Sequence, residues 1–446
     1  MAEYPKYWRE EIETMPRDRL RALQERKLLK QLRYNLNNSV FYQDKFKSAG
    51  LELGDIKGMD DLPKIPFTTK EELRKSQEEM PPLGRHVACP LDKVIRVHSS
   101  SGTTGTPSFV GITRGDRAVW TEIVARVYWT HGVRPPDRVV HGFGLSFFVG
   151  GLPLKDAIEE LGATFIPIGT GASDRLITSI QRLKASVLLC TPSYALYLAE
   201  YARNKMGVDP RGLGIRLICT GAEPGGGIPG VRRRMEEEWN CTVLESVGNA
   251  DMAPTFFAEC YMKNGNHECA QDYVITEIID PDSGKVLEWR DGQEGELVYT
   301  AIERECVPLL RFRTRDRVVV WTSDCECGRT GYRIRCIGRT DDMLIVLGVN
   351  VFPSAVKDVI SSMRPEMTGE VQILLKRPGP RVDPPLKIQA EYSKGATDLG
   401  GLKRRAEELI REKLIVPAQV ELVPEGTLPR FEMKAKLIRR LWEEGG

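Results

Sequence analysis

The sequence predicts an α/β protein in two parts. A large N-terminal domain over 1–339 carries mainly parallel sheets flanked by helices, and a small α+β C-terminal domain follows over 340–446. Three observations predict this. From about residue 90 to 340, short apolar runs alternate with helical patterns, the signature of strand–helix–strand units. After Gly338-Arg-Thr-Asp-Asp342 the texture changes to strands and helices in a unit of roughly one hundred residues, a usual size for a small domain. A chain of 446 residues is also long enough for two or more cores.

Taken in order, residues 8–47 read as helical, because Leu20, Leu23, Leu28, Leu32 and Leu36 recur at three-to-five spacing. Acids interleave with the bases there, so the polar face is solvated and not a nucleic-acid patch. Val139–Phe143, Thr164–Ile168, Ser186–Cys190 and Arg216–Cys219 are apolar runs that end in Gly, Thr-Pro or Thr-Gly turns. Between them, Asp174–Lys184 and Tyr194–Lys205 have helical patterns. In such sheets ligands gather at the C-terminal ends of strands, where Thr191-Pro-Ser and Thr220-Gly-Ala-Glu-Pro224 stand. In the small domain, Met343–Val351, Val371–Leu375, Ile388–Tyr392 and Val420–Val423 read as strands, and Pro353–Met363 and Gly401–Leu414 as helices.

The composition excludes several functions. With 64 basic and 62 acidic residues the net charge is +2, which gives no field for nucleic acid or an anionic membrane. No apolar run approaches the ~20 residues of a membrane span. The first residues, Met1 to Glu11, lack a signal-peptide core. A reducing cytoplasm is the expected compartment. Ten cysteines are too few for a disulfide scaffold in a chain this long, and the close spacing of some suggests a metal instead.

The stretch His98-Ser-Ser-Ser-Gly-Thr-Thr-Gly-Thr-Pro-Ser108 fills no core. Its hydroxyls, with backbone N–H groups freed by glycine, suit the oxygens of a phosphate chain. A flexible Ser/Gly linker is the alternative. The strand-like flanks Val94–Val97 and Phe109–Ile112 weigh against it. The loop is not a Gly-x-x-x-x-Gly-Lys-Ser/Thr phosphate loop, since the lysine is missing.

Five motifs occur in order: Ser99–Pro107, Gly221-Ala-Glu-Pro224, Arg313-Thr-Arg-Asp316, Gly338-Arg-Thr-Asp-Asp342 and a late Lys434. In this the chain resembles the adenylate-forming enzymes. Phe41-Tyr-Gln, Cys190-Thr-Pro-Ser-Tyr, Pro308–Asp316 and Asp341–Pro353 make it similar, more narrowly, to the phenylacetate–CoA ligase branch. The resemblance covers nearly the whole chain. It implies a two-step ligase: a carboxylate attacks the α-phosphate of ATP, and the thiol of coenzyme A then displaces AMP. Such phosphoryl chemistry is mainly positioning and charge stabilisation.

The resemblance also implies roles. Ser99, Ser100, Ser101, Gly102, Thr103, Thr104 and Gly105 would hold the β- and γ-phosphates. Gly221, Ala222, Glu223 and Pro224 would line the adenine. Asp316 would accept the ribose hydroxyls, although a salt bridge with Arg313, Arg315 or Arg317 is its plain alternative. Arg339 would contact ribose and phosphate, and Asp341 would be the hinge of a mobile small domain. Lys434 would be the catalytic lysine, an ammonium point charge where charge builds between carboxylate and α-phosphate. Asn350, in Gly348–Pro353, falls in the segment facing the pantetheine tunnel. Implied partners are a small carboxylic acid, ATP with Mg²⁺, and CoA, and a homodimer is compatible with the sequence.

Three motifs depart from the family pattern. Thr106 stands where the phosphate loop usually has lysine. Val247-Gly-Asn-Ala-Asp251 replaces an aromatic-Gly-x-Ser/Thr-Glu motif, and Met433 replaces the glycine before the catalytic lysine. Asp251 still offers Mg²⁺ a carboxylate oxygen. The acid pocket is expected from Phe143, Gly144, Phe147, Phe148, Gly150, Val247, Gly248 and Asn249, although core packing is the commoner fate of phenylalanine. The phenylalanines suit an aryl or arylacetic acid, and Asn249 suits a small hydroxylated or branched one. An adenylation enzyme that hands its acyl group to a carrier protein or an amine shares the same motifs. A non-catalytic acid sensor is a third reading, prompted by Thr106, Val247 and Met433 and opposed by Asp316, Arg339 and Lys434.

Cys260, His267, Cys325 and Cys327 offer three sulfurs and one nitrogen in two tight pairs. Structural zinc takes four such ligands. Similar relatives carry the same Gly-x-His and Cys-x-Cys-Gly-Arg patterns. Cys269 is a possible substitute ligand, and four unrelated buried residues is the plain alternative. The remaining cysteines read as small buried hydrophobes. No base is assigned to His98 or His141, because an ionised carboxylate has no proton to lose.

Overall fold

The computed structural model describes residues 4–99, 108–432 and 434–443. The chain divides into two compact units: 1–169 with 246–335, and 170–245 with 336–446. The expected α/β class is what forms, and among the described residues no helix is long and apolar enough to cross a membrane. The boundary at 339/340 remains a reading of the sequence.

In the first unit the N-terminal region forms helices Glu10–Glu13, Arg17–Asn38 and Val40–Ser48. Leu28, Leu32, Tyr42 and Phe46 are buried with Ile275 and Leu310. The leucine repeat therefore marks the buried face of a helix, as apolar spacing of this period should. Strands Arg96–Ser99 and Phe109–Ile112 pair antiparallel, with Ser99 opposite Phe109. Strands Arg138–His141 and Thr164–Pro167 pair parallel around the Leu152–Glu160 helix. From residue 246 the pairing turns antiparallel: the 242–249 strand with Ala253–Glu259, and that strand with Asn266–Glu268. Val274–Ile279, Glu294–Ala301 and Phe312–Trp321 form a second antiparallel run. The 250–252 and 260–265 links are short enough for hairpins, whereas parallel strands need long crossovers.

The second unit holds parallel strands Val187–Cys190, Leu217–Thr220 and 242–245, joined through helices Ser173–Leu183, Pro192–Met206 and Pro229–Trp239. Every residue of the first two strands is buried, which matches their largely apolar sequence. The small α+β part has a four-stranded sheet built from Met367–Leu375, Leu386–Tyr392, Ala418–Pro424 and Ile438–Arg440. Helices Pro353–Ser361 and Leu399–Leu414 close its core around Val356, Ile360, Leu402, Ala406 and Ile410. One expectation changes. Met343–Val351 is not one strand but a hairpin, Leu344–Val346 with Val349–Val351. Leu347 and Gly348 both have positive φ, at 52° and 81°, the two-residue turn that matches strand twist.

Candidate active site

The phosphate-loop flanks are fixed by local structure. Ser99 ends its strand, and its N–H donates to the Phe147 carbonyl at 2.9 Å. Ser100, Ser101, Gly102, Thr103, Thr104, Gly105 and Thr106 lie outside the described residues. At the far side of the loop, Ser108 is buried and its hydroxyl receives Lys70. The same ammonium reaches both carboxylate oxygens of buried Asp251 at 2.7 Å. Lys70 was not anticipated from sequence. Its position comes from a capping box: the Thr69 hydroxyl accepts from the Glu72 N–H, and the Glu72 carboxylate accepts from the Thr69 N–H. Thr69-x-x-Glu72 is legible as a helix start, but nothing local says that the residue after the cap will meet Asp251.

Asp251 is itself held in place, since its N–H donates to Asn249 Oδ1 at 3.0 Å. This occupies the carbonyl oxygen of Asn249 and leaves its amide nitrogen for other contacts. The strand bulges between Val247 and Asn249. A Cβ on Gly248 would stand 2.1 Å from the Pro254 carbonyl oxygen, so the bulge requires glycine. Among the other residues assigned to the acid pocket, Phe143 is buried with its ring 5.7 Å from His141. Phe147 is half exposed and meets Phe109 edge-on at 5.7 Å. Phe148 covers Gly150, where a side chain would collide with its ring. Phe143, Phe147 and Phe148 thus have different near neighbours, and Gly144 is half-buried.

His98 and His141 are buried, and among the described residues His141 has no hydrogen-bond partner on either ring nitrogen. Burial lowers their pKa to about 4 and about 3, respectively, so both rings are neutral at physiological pH. Asp316 is half-buried on the Phe312–Trp321 strand, its N–H donating to Thr314 Oγ1 at 2.9 Å. Its arginine neighbours have acids of their own: Arg313 pairs with Glu296 at 2.7 Å, Arg315 with Glu71 at 3.0 Å and Arg317 with Glu294 at 3.4 Å.

In the second unit, the Gly221–Pro224 turn follows the Leu217–Thr220 strand at its C-terminal end. Ala222 takes a left-handed φ of 72°. Next to it, Thr191 caps the Pro192–Met206 helix by accepting from the Tyr194 N–H at 3.1 Å. The Glu223 carboxylate binds the Ser193 N–H at 2.7 Å and, with its other oxygen, the Ala435 N–H. Ala435 follows Lys434. The turn and the lysine loop are thus brought together, and a bond between Ser173 and Glu432 at 3.4 Å adds to this.

Lys434 is exposed. Arg339 and Asp341 form a two-pronged ion pair, 2.9 Å on each side. Burial and the adjacent Asp341 charge raise the Asp342 pKa, while Arg339, Arg440 and Lys434 oppose them. The hinge motif and the late lysine therefore share one electrostatic neighbourhood. Gly338 is required there, because a Cβ would stand 2.2 Å from the Phe352 ring. Asn350 is exposed on the Val349–Val351 strand.

The four predicted metal ligands do converge. Cys260, His267, Cys325 and Cys327 are buried, and their donor atoms all lie within 4.8 Å of one another. Cys260 and Cys325 sulfurs are 3.8 Å apart, and Cys327 Sγ is 3.3 Å from His267 Nε2. His267 Nδ1 faces the Gly331 carbonyl at 3.3 Å. A proton on Nδ1 leaves the Nε2 lone pair directed at the sulfurs. Cys269 is not part of the group: its sulfur faces the His267 carbonyl at 3.5 Å and packs with Val127 and Ala258. Arg329, just past the Cys-x-Cys-Gly turn, is buried against Glu13 at 2.8 Å.

Comparison with known proteins gives the family. Residues 46–301 match the AMP-binding enzyme family, and residues 348–440 match the AMP-binding enzyme C-terminal domain. A phenylacetate-coenzyme A ligase of Thermus thermophilus is 36% identical over 439 residues, covering 95% of this chain and 96% of that one. The crystal structure of a 2-hydroxyisobutyryl-CoA ligase in the postadenylation state with 2-HIB-AMP superposes with a TM-score of 0.92. It shows 31% identity and covers 100% of this chain and 94% of that one. The same ligase with 2-HIB-AMP and CoA in the thioesterification state gives a TM-score of 0.73 at 32% identity, with 98% and 94% covered. The chain belongs to the AMP-binding, adenylate-forming enzymes, as an AMP-forming acyl-CoA ligase of the phenylacetate–CoA ligase type.

Proposed function

We propose that the protein joins an aryl or arylacetic acid, of the phenylacetate kind, to coenzyme A. The acid enters ionised, and one carboxylate oxygen attacks the α-phosphorus of ATP. The bond to pyrophosphate breaks and an acyl-adenylate forms. The sulfur of CoA then attacks the acyl carbon, the bond to AMP breaks, and the thiol proton is released to solvent. No base is needed for the first step, in keeping with the neutral, buried state of His98 and His141.

The observation that carries this reading is the tie between the Gly221–Pro224 turn and the Lys434 loop through Glu223. With the Glu223 carboxylate committed to two amides, the turn's backbone is what remains to face adenine. Lys434 adds positive charge at the α-phosphate, where fixed charge stabilises the transition state most. Arg339 and Asp316 hold ribose and phosphate. Asp341 is the pivot, and Asn350 faces pantetheine. Asp251 would offer Mg²⁺ a carboxylate oxygen beside its pairing with Lys70, and Lys70 would supply the loop cation that Thr106 does not.

Zinc fits the cysteine–histidine group. Two sulfurs about 2.3 Å from one tetrahedral ion stand about 3.8 Å apart, the separation that Cys260 and Cys325 have. With four protein ligands the position is closed, so zinc there would cross-link the chain and take no part in the reaction.

A small hydroxylated or branched acid is the second reading. It rests on the polar Asn249 side chain and on the likeness to 2-hydroxyisobutyryl-CoA ligase. The test is a panel of acids with ATP, assayed for AMP release with and without CoA. Phenylacetate should release AMP only when CoA is present. Release supported only by small hydroxy acids would establish the second reading, and acyl transfer to an amine without CoA would sink both.

A further inference from the structure

A separate cavity of 690 Å³ opens beside the Lys70–Glu79 helix. Its walls include Pro82, Leu83, Val94, Val97, Phe109 and Phe147. Of the residues assigned to the acid pocket, Phe147 alone lines it. The volume lies within the roughly 300–1,000 Å³ of small-molecule sites. Its mouth is rimmed by uncovered apolar groups: Leu91 is 53% exposed and Phe147 51%. Apolar surface gathered in this way marks a binding site more often than chance.

The polar groups of this cavity are unequal. The Gln77 amide is used up, donating to the Phe109 carbonyl at 2.6 Å and accepting from the Phe109 N–H at 3.1 Å. Arg74 is different. Its Nε is buried without a hydrogen-bond partner among the described residues, a cost that a planar anion binding side-on would relieve. One turn along the helix, Glu78 also lines the cavity and is exposed. Its negative charge disfavours a dianionic head such as a phosphate monoester and tolerates a monoanion.

We propose that this cavity binds a monocarboxylate with an apolar body, its carboxylate on Arg74 and its chain along Leu83, Val94 and Phe109. The occupant would touch the strands that carry the phosphate loop, through Val97 and Phe109, and the segment whose Phe147 carbonyl receives Ser99.

Decanoate and decanol are the probes, titrated calorimetrically into the full chain. Decanoate should bind at least ten-fold more tightly than decanol. Arg74→Gln should bring the two to equal affinity without lowering the thermal midpoint. Leu91→Glu, a change at an exposed rim position, should weaken decanoate at least five-fold, whereas Leu91→Arg should not. Equal affinity for acid and alcohol in the unmodified protein would overturn the proposal. So would decanoate binding that neither Arg74→Gln nor Leu91→Glu alters, or no binding at all.

Discussion

The carboxylate of Glu223 accepts the backbone N–H of Ala435, 212 residues further along the chain. Its other oxygen holds Ser193 at the start of the Pro192–Met206 helix. One side chain therefore couples the turn after a parallel strand to the loop that carries Lys434. Hydrogen bonds to a charged acceptor contribute about 1.5–3 kcal/mol each. Glu223→Gln keeps one acceptor oxygen and exchanges the other for an amino group. Its kcat/KM for adenylation, read by pyrophosphate exchange, should fall about ten- to a hundred-fold. Thioester formation from supplied acyl-adenylate should fall much less, and equal losses would show that Glu223 merely holds the fold.

Lys434→Ala should separate the two half-reactions more sharply. The lysine is exposed, so its removal leaves no cavity and should leave the melting temperature within about 1 °C, as surface changes do. Pyrophosphate exchange should be abolished, while conversion of supplied acyl-adenylate to the thioester continues. If Lys436→Ala has the same effect and Lys434→Ala does not, the role belongs to the later lysine.

Lys70 is paired with Asp251 at 2.7 Å, with only 19% of its own side chain and 7% of its partner's exposed. Lys70→Met leaves a nearly buried carboxylate without a cation. The partial exposure of Lys70 reduces the penalty below the ~3–5 kcal/mol of a fully buried broken pair. The KM for ATP should rise about ten-fold, with little change in the KM for the acid. Asp251→Asn in the Lys70→Met background should restore part of the lost stability. A Lys70→Met enzyme whose ATP dependence is unchanged would remove Lys70 from the nucleotide site.

Much of this arrangement could be read from the chain, and the exceptions share a cause. Strands Val187–Cys190 and Leu217–Thr220 are largely apolar runs, and both form within a residue or two of where they were expected. The cysteine–histidine group was legible because its ligands come in two close pairs of unusual residue types. The hairpin at Leu347-Gly348 was not, because an apolar residue there adopts a positive φ that its propensity opposes. Lys70 escaped notice because its partner lies 181 residues away, and a lysine in the first turn of a helix is ordinary. The same limit hid the neighbours of Phe143 and Phe147, whose sequence spacing does not say which meets His141 and which meets Phe109.

Purified protein should contain about one zinc per chain by elemental analysis, since four buried donors converge on one point. Cys327→Ala should lose the metal and lower the melting temperature by several degrees. Cys269→Ala should keep it, because that sulfur packs elsewhere. Metal-free wild-type protein of unchanged stability would leave the cluster as four packed side chains.

Acid should destabilise the protein earlier than its carboxylates alone would require. Burial lowers the pKa of His86 to about 4, of His98 to about 4 and of His141 to about 3. Each is neutral when folded and takes up a proton near pH 6.5 when unfolded. The unfolded chain thus binds more protons between these values, so stability is present above pH 6.5 and is lost as pH falls through the window. Glu268 works against this. Burial raises its pKa to about 7, so its contribution is complete below about pH 4.5 and fades as pH rises through 7. Burial raises the Glu277 and Asp342 carboxyls in the same sense, and each histidine by itself contributes a limiting slope of about 1.4 kcal/mol per pH unit over pH 4.5–6.5. Urea unfolding from pH 7.5 to 4.5 should show this decline. His141→Phe, among the rings of Phe143 and Phe165, should reduce the slope by one proton. A slope that His141→Phe does not alter would mean that this ring is already protonated in the folded state.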